Sequence, residues 1–228
     1  MQPKLLLFDI DGTLIHSGGA GKVAMERAFE KVYGRSKALE GMSLMGRMDS
    51  AILQEALAHQ GLPWKEEEAE RFKESYYGFL EEELKKPRHG KGLCPGIQEL
   101  LLKLRMRNHV TLGVLTGNWR KGGEIKLRYF GIKDFFELGV FAEDGLRRED
   151  LLPVAMARYV ALRGEEIPKE HVYVIGDTLL DIQSAKPHGV RTVAVATGIH
   201  TLEELQKENP DYLFPDFSDT EKVLSLWS

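Results

Sequence analysis

Asp9 and Asp11 stand two positions apart, directly after the apolar run Leu5-Leu6-Leu7-Phe8. In an extended segment that spacing turns both side chains toward the same side. Two carboxylates so placed repel each other, and a third, Asp177, follows another apolar run, Val172-Tyr173-Val174-Ile175. Hard oxygen ligands of this kind suit Mg2+, which neutralises their charge and brings a phosphate into its coordination shell. With the anions screened, one carboxylate can attack phosphorus while a second carboxylic acid protonates the leaving oxygen. Thr116 ends a third apolar run, Val110 to Leu115, and its hydroxyl can donate to a phosphoryl oxygen, as can the amides of Gly117 and Asn118. Arg147 and Arg148 supply a fixed cation for the transferring group.

These residues need elements that bring them together. The three runs and a fourth, Thr192-Val193-Ala194-Val195, read as strands, and their nearly continuous apolar character predicts burial on both faces. Helical patterns lie between them, over Ile97 to Met106, Glu124 to Phe130, Leu151 to Leu162 and Thr178 to Lys186. Strands alternating with helices predict an α/β domain with a mainly parallel sheet. Ligands bind outside the carboxyl ends of such strands, so Asp9, Asp11, Thr116 and Asp177 are expected to meet in one crevice.

The stretch 17–89 breaks the alternation, with several helical segments and no convincing strand, and predicts an inserted helical domain. The expected division is 1–16 and 90–228 for the core, and 17–89 for the insertion. Within it, Lys65 to Lys86 is dense in Glu and Lys but keeps Phe72, Tyr76, Phe79 and Leu84 near helical spacing, a solvated helix with one buried stripe. Pro87-Arg88-His89-Gly90-Lys91-Gly92 reads as the link back to the core. Gly19-Ala20-Gly21-Lys22-Val23-Ala24 begins too far after the first strand to form a dinucleotide turn and is expected to be a hinge.

Composition narrows the partners. A chain of 228 residues, 43% hydrophobic, can bury a substantial core. Its net charge of −4 gives no general attraction to nucleic acid or anionic membrane, so an anionic substrate must be held by local features. The single cysteine, Cys94, excludes an intramolecular disulfide and a Cys-rich metal cluster, which fits a reducing cytoplasm. With no signal-peptide pattern or long apolar stretch, the protein is expected to start at Met1 and to be cytoplasmic.

Asp9-Ile10-Asp11-Gly12-Thr13-Leu14 resembles the first motif of the haloacid-dehalogenase-like hydrolase superfamily. Thr116, the arginine pair and Gly176-Asp177-Thr178-Leu179-Leu180-Asp181 resemble its second, third and fourth motifs in order. The resemblance implies a Rossmann-like core with a helical cap that closes over the crevice and chooses the substrate. It implies that Asp9 is the nucleophile, that Asp11 is general acid and then general base, and that Mg2+ is held by Asp9, the backbone carbonyl of Asp11 and Asp177. Asp181, on the same helix face as Asp177, is expected to orient metal-bound water.

The third motif usually carries lysine, whereas Leu146-Arg147-Arg148-Glu149-Asp150-Leu151-Leu152-Pro153 carries arginine. Relatives of this family that use arginine carry it before a similar Leu-Pro helix start, so the resemblance favours Arg148, which keeps the charge and adds a planar fork for phosphate. Arg47, next to Gly46 and just before the helical run Asp49 to His59, is a candidate for meeting an anionic substrate group. Gly198-Ile199-His200-Thr201-Leu202-Glu203-Glu204 resembles a segment of phosphoglycolate-phosphatase-like relatives. The expected activity is Mg2+-dependent hydrolysis of a small phosphorylated metabolite through an aspartyl phosphate. The competing readings are a haloacid dehalogenase, a phosphonate hydrolase, a phosphomutase and, from another class, a non-catalytic phosphate-sensing protein. A second carboxylate at position 11 disfavours the dehalogenase.

Overall fold

A computed structural model describes residues 2–227; Met1, and with it the expected chain start, lies outside the described residues, as does Ser228. Strand β1 (Lys4–Phe8) is the middle of the sheet, flanked in parallel by β4 (Val110–Leu115) and β6 (Val172–Gly176). Alternate residues of β1 serve opposite layers. Leu5 and Leu7 join the apolar cluster that includes Leu151, Leu152 and Tyr159, while Leu6 and Phe8 join the one that includes Ile97, Leu100 and Trp227. A strand covered on both faces has no position to give to a polar residue, which explains the uninterrupted apolar run.

Outward from this centre the sheet adds β5 (Leu138–Val140) beside β4, and β7 (Arg191–Val195) then β8 (Tyr212–Phe214) beside β6, all parallel. The order is β5-β4-β1-β6-β7-β8. The fold is therefore α/β and Rossmann-like, with the chain reversing direction across the sheet on either side of β1. That reversal opens a crevice at the carboxyl end of β1. Strands β5 and β8 are three-residue edges that no sequence run announced.

Between β2 (Ile15–His16) and β3 (Gly92–Leu93), an antiparallel pair, the chain forms α1 (Ala20–Tyr33), α2 (Asp49–His59) and α3 (Glu66–Lys85). The pair holds the two ends of the helical segment side by side. The glycine-rich hinge is shorter than expected, because α1 already begins at Ala20 and only Gly18 and Gly19 take left-handed backbone. On α3 the buried stripe is Phe72, Tyr76, Leu80 and Leu84, at strict four-residue spacing. Phe79, expected in that stripe, is half-buried, with the Arg27 guanidinium 4.0 Å above its ring.

Two further helices position the site: α4 (Ile97–Arg105) backs the sheet, and α5 (Arg120–Tyr129) follows β4. Trp119, fully buried just before α5, takes Phe72 and Tyr76 against its ring edges at 6.0 and 5.9 Å. Such aromatic pairs contribute about 0.5–1.5 kcal/mol each beyond area burial. They dock the helical segment onto the core beside the crevice. Chain order then gives α6 (Leu151–Arg163) before β6 and α7 (Leu179–Ala185) after it.

Candidate active site

Asp9 is the first residue past β1, and its amide donates to the Ile175 carbonyl of β6 at 2.9 Å. The side chain is buried at 4% exposure. Asp177, just past β6 and fully buried, accepts from the Thr13 hydroxyl at 2.9 Å. The turn between them is tight. Gly12 has a φ of +85°, and a Cβ there would stand 2.3 Å from Asp177 Oδ2, so only glycine fits.

Asp181, on the first turn of α7, completes a group with Asp9 and Asp177 in which one oxygen from each lies within 4.8 Å of the others. Burial, opposed by Arg148, pushes the Asp9 carboxyl up to about 6. The Asp177 carboxyl is raised well above its ordinary range, first by burial and then by Asp181 and Asp9. Both shifts report negative charge held out of water without enough compensation.

The arrangement fits a divalent cation. Asp177 Oδ2 is a buried acceptor without a hydrogen-bond partner, and Asp9 Oδ1 makes no hydrogen bond and has only the 3.3 Å ion pair with Arg148, an expensive state that a hard cation relieves. Asp181 is different, since both of its oxygens are engaged: Oδ1 meets Arg148 Nη2 at 2.5 Å, and Oδ2 accepts from the Thr178 amide at 3.0 Å and hydroxyl at 2.7 Å.

The side chain of Asp11 does not join the acidic group. The strand ends at Phe8 and the backbone turns at Gly12, so the two-residue alternation of an extended chain stops applying before Asp11. Its Oδ2 instead accepts from Lys126 Nζ at 2.5 Å and Asn118 Nδ2 at 3.0 Å. Only the backbone carbonyl of Asp11, the atom that the resemblance implied, is left for a cation.

Thr116 is fully buried at the end of β4, and its hydroxyl oxygen accepts from Asn118 Nδ2 at 2.8 Å and, more weakly, from the Asn118 amide at 3.3 Å. Asn118, expected to contact substrate, spends its polar atoms inside the site: it holds Thr116 and Asp11, and its Oδ1 accepts from Lys126 at 2.6 Å. Gly117 faces the helical segment. Its carbonyl accepts the Asp49 amide at 2.7 Å, and a Cβ on it would stand 2.3 Å from the Arg47 carbonyl oxygen.

The two arginines separate cleanly. Arg148 is buried, with a side-chain exposure of 9%, and reaches Asp9 at 3.3 Å as well as Asp181. Its Nη1 also donates to the Gly46 carbonyl of the helical segment at 2.8 Å. Burial works against its charge, but Asp181 and Asp9 more than offset it and raise its pKa. Arg147, 73% exposed, pairs with Glu149 and Asp150 on the surface. Arg47 lines the crevice with its guanidinium on Glu55 and the Ser43 carbonyl, so its charge is already engaged within the helical segment.

Two functional candidates escaped the sequence. Lys126, on α5, is only 4% exposed and sits between Asp11 and Asn118. Asp49, the first residue of α2, is 6% exposed, accepts from the Trp119 amide at 2.8 Å, and has its carboxyl pushed up to about 7, chiefly by burial. A lysine or aspartate in a charged helical stretch looks like surface. The available signal for Lys126 was Gly122-Gly123 one turn earlier, an unfavourable pair inside a helix that marks close packing on that face. Together these residues enclose a cavity of about 490 Å3, with Asp9, Asp11, Thr116 and Arg148 on the core side and Met25, Arg47, Ile52 and Tyr76 on the helical side.

The sequence model of the family described as haloacid dehalogenase-like hydrolase matches residues 6–195. The chain belongs to that family. A pyrophosphatase PpaX of Oceanobacillus iheyensis is 26% identical over 226 residues, covering 96% of this chain and 95% of the relative. A phosphoglycolate phosphatase of Pectobacterium atrosepticum is 27% identical over 222 residues, covering 94% and 89%. Among solved structures, that of a predicted phosphoglycolate phosphatase from Haemophilus somnus superposes with a TM-score of 0.72 at 24% identity, covering 98% of each chain, and so shares the fold. Among the described residues no helix is long and apolar enough to cross a membrane.

Proposed function

We propose that this chain is a Mg2+-dependent phosphatase that hydrolyses a small phosphomonoester through an aspartyl phosphate on Asp9. The observation that carries the reading is the pair of buried carboxylate oxygens that make no hydrogen bond, Asp177 Oδ2 and Asp9 Oδ1, the latter held only by the ion pair with buried Arg148 at 3.3 Å. Such a site has unmet demand for a cation and for a charge-compensated phosphoryl group.

Asp9, the Asp11 carbonyl and Asp177 would hold Mg2+, which when bound neutralises the carboxylates and the phosphoryl oxygens. An Asp9 oxygen attacks phosphorus, forming an acyl-phosphate bond as the bond to the leaving oxygen breaks. Arg148 and the Thr116 hydroxyl stabilise charge on the equatorial oxygens. Asp11 gives its proton to the leaving oxygen and then takes one from the water that attacks the same phosphorus, which frees Asp9 and completes the cycle. Asp181 keeps Arg148 aimed at Asp9. The helical segment 17–89 acts as the cap that excludes water from this exchange.

Phosphoglycolate and pyrophosphate, named in two relatives, are the first candidates in a screen of phosphorylated metabolites. Phosphate release should require Mg2+, stop with EDTA and recover on adding Mg2+ back. Sustained turnover by fully demetallated protein removes the magnesium assignment, and affinity for phosphoesters without any release favours a phosphate-sensing protein instead.

A further inference from the structure

The catalytic reading leaves one wall of the cavity without a task. Tyr76 of α3 lines the cavity at 0% exposure, yet its hydroxyl has no hydrogen-bond partner. A buried, unpaired hydroxyl costs about 1–3 kcal/mol, so a ligand group that accepts from it recovers that cost. The ring packs on Gly122 of α5, where a Cβ would lie 3.1 Å from Tyr76 Cε1.

Lys126 lies one helical turn further along the same face of α5. Two of its three N–H donors are given to Asp11 and Asn118. The backbone of α1 closes the third side, for a Cβ built on Gly21 would stand 3.7 Å from Lys126 Nζ. At that helix start the Ala20 amide is used by Ser17 and the Val23 amide by Gly19. The amides of Gly21 and Lys22, between them, are first-turn donors that the helix leaves open, at the positive end of its dipole. Asp49 and Asp11 are the acidic groups on this wall; the Asp49 Oδ2 is turned to the Trp119 amide and the Asp11 Oδ2 is held by Lys126 and Asn118.

The wall thus offers a tyrosine hydroxyl, a buried ammonium and helix-end amides. All are donors. We propose that Tyr76 and Lys126 are specificity-determining residues that bind a small oxyanion, a carboxylate or a second phosphate, carried by the leaving group of the substrate. This rests on the phosphatase reading and adds to it what the substrate must carry beyond its scissile phosphate. Phosphomonoesters whose leaving group ends in a neutral alkyl chain leave the donors unmet and are rejected, because an unpaired polar site penalises the analogue that lacks its partner.

The test compares 2-phosphoglycolate, pyrophosphate and the neutral analogue ethyl phosphate, with Mg2+, on wild-type protein, Tyr76→Phe and Lys126→Met. Tyr76→Phe removes a hydroxyl that has no partner, so the fold is expected to survive it. Wild type should prefer one of the two anion-bearing substrates over ethyl phosphate by roughly 10- to 100-fold in kcat/KM, as a hydrogen bond to a charged group allows. The preferred one identifies the oxyanion as carboxylate or phosphate. Tyr76→Phe should reduce that preference about tenfold, mainly through KM, and Lys126→Met should reduce it further. Equal use of ethyl phosphate by wild type, or the same proportional loss on all three substrates in Tyr76→Phe, overturns the assignment while leaving the phosphatase reading intact. If wild type releases no phosphate from these or from p-nitrophenyl phosphate, the phosphatase reading itself fails and this one with it.

Discussion

Arg148 bridges Asp9 and Asp181, with Nη2 at 3.3 Å from Asp9 Oδ1 and 2.5 Å from Asp181 Oδ1. A guanidinium fixed between the proposed nucleophile and a carboxylate that orients it is preorganised for charge that would develop on a transferring phosphoryl group. Arg148→Ala should therefore lower kcat by about 10² to 10³, the range seen when a preorganised donor is removed. Arg147, paired only with surface carboxylates, should cost within about 0.5 kcal/mol when replaced by alanine. Steady-state kinetics on both variants, with folds checked by circular dichroism, compares them, and a larger loss in Arg147→Ala reverses the assignment.

Asp9 and Asp11 occupy different environments, which predicts different lesions. Asp9→Asn should abolish the phosphoenzyme outright. Asp11→Asn should keep the site's geometry but lower turnover by about 10² to 10⁴, the usual weight of acid-base catalysis, with the loss concentrated in leaving-group protonation and in hydrolysis of the intermediate. Rapid-quench trapping of radiolabelled phosphoenzyme separates the two. A full stoichiometric phosphoenzyme on Asp9→Asn points to a different nucleophile.

The residues legible in the sequence were those whose neighbours betrayed them. Asp9, Thr116 and Asp177 follow apolar runs with the pattern of central strands, so their convergence follows from topology alone. Strands β5 and β8 stayed hidden because three residues at a sheet edge carry too little pattern. The Asp11 side chain departs from the expected direction because the alternation of an extended chain ends with β1 at Phe8. Lys126 and Asp49 were invisible for another reason: burial of a charge depends on partners distant in sequence, here Asp11 with Asn118, and Trp119. Likewise the position of Arg147 and Arg148 relative to the following helix was readable, while their engagement with Asp9 was not.

Gly117 and Arg47 meet through backbone, which changes what the arginine is expected to do. The Arg47 side chain is committed to Glu55, whereas its carbonyl presses on Gly117. Gly117→Ala should push the helical segment off the core loop, raising KM for every substrate, and should destabilise the protein by roughly 1–3 kcal/mol as overpacking does. Arg47→Ala should be milder on both measures. Chemical denaturation alongside kinetics compares them, and a Gly117→Ala protein with wild-type KM and stability shows that the contact is not maintained in solution.

Asp49 links the helical segment to the core from both of its ends, its amide donating to Gly117 and its carboxylate accepting from Trp119. Burial pushes its carboxyl from 3.8 up to about 7, with Lys126 and the Trp119 amide opposing. Because the folded-state value is raised, the folded protein keeps a proton that the unfolded chain has already released. Stability from this group is therefore complete below the ordinary carboxyl range and is lost as pH rises through the window from about 4 to about 7, after which the loss is constant. Asp49→Asn retains an oxygen that can accept from Trp119 and removes the titration. Its melting temperature should stay near that of wild type at about pH 4.5 and gain on wild type as pH rises to about 8. Melting curves across that range, taken as the difference between variant and wild type, isolate this carboxyl from the other acidic groups of the site. A difference that stays flat or shrinks with rising pH shows that Asp49 is ionised at little cost, and that it holds the helical segment as an ordinary charged cap of the Trp119 amide.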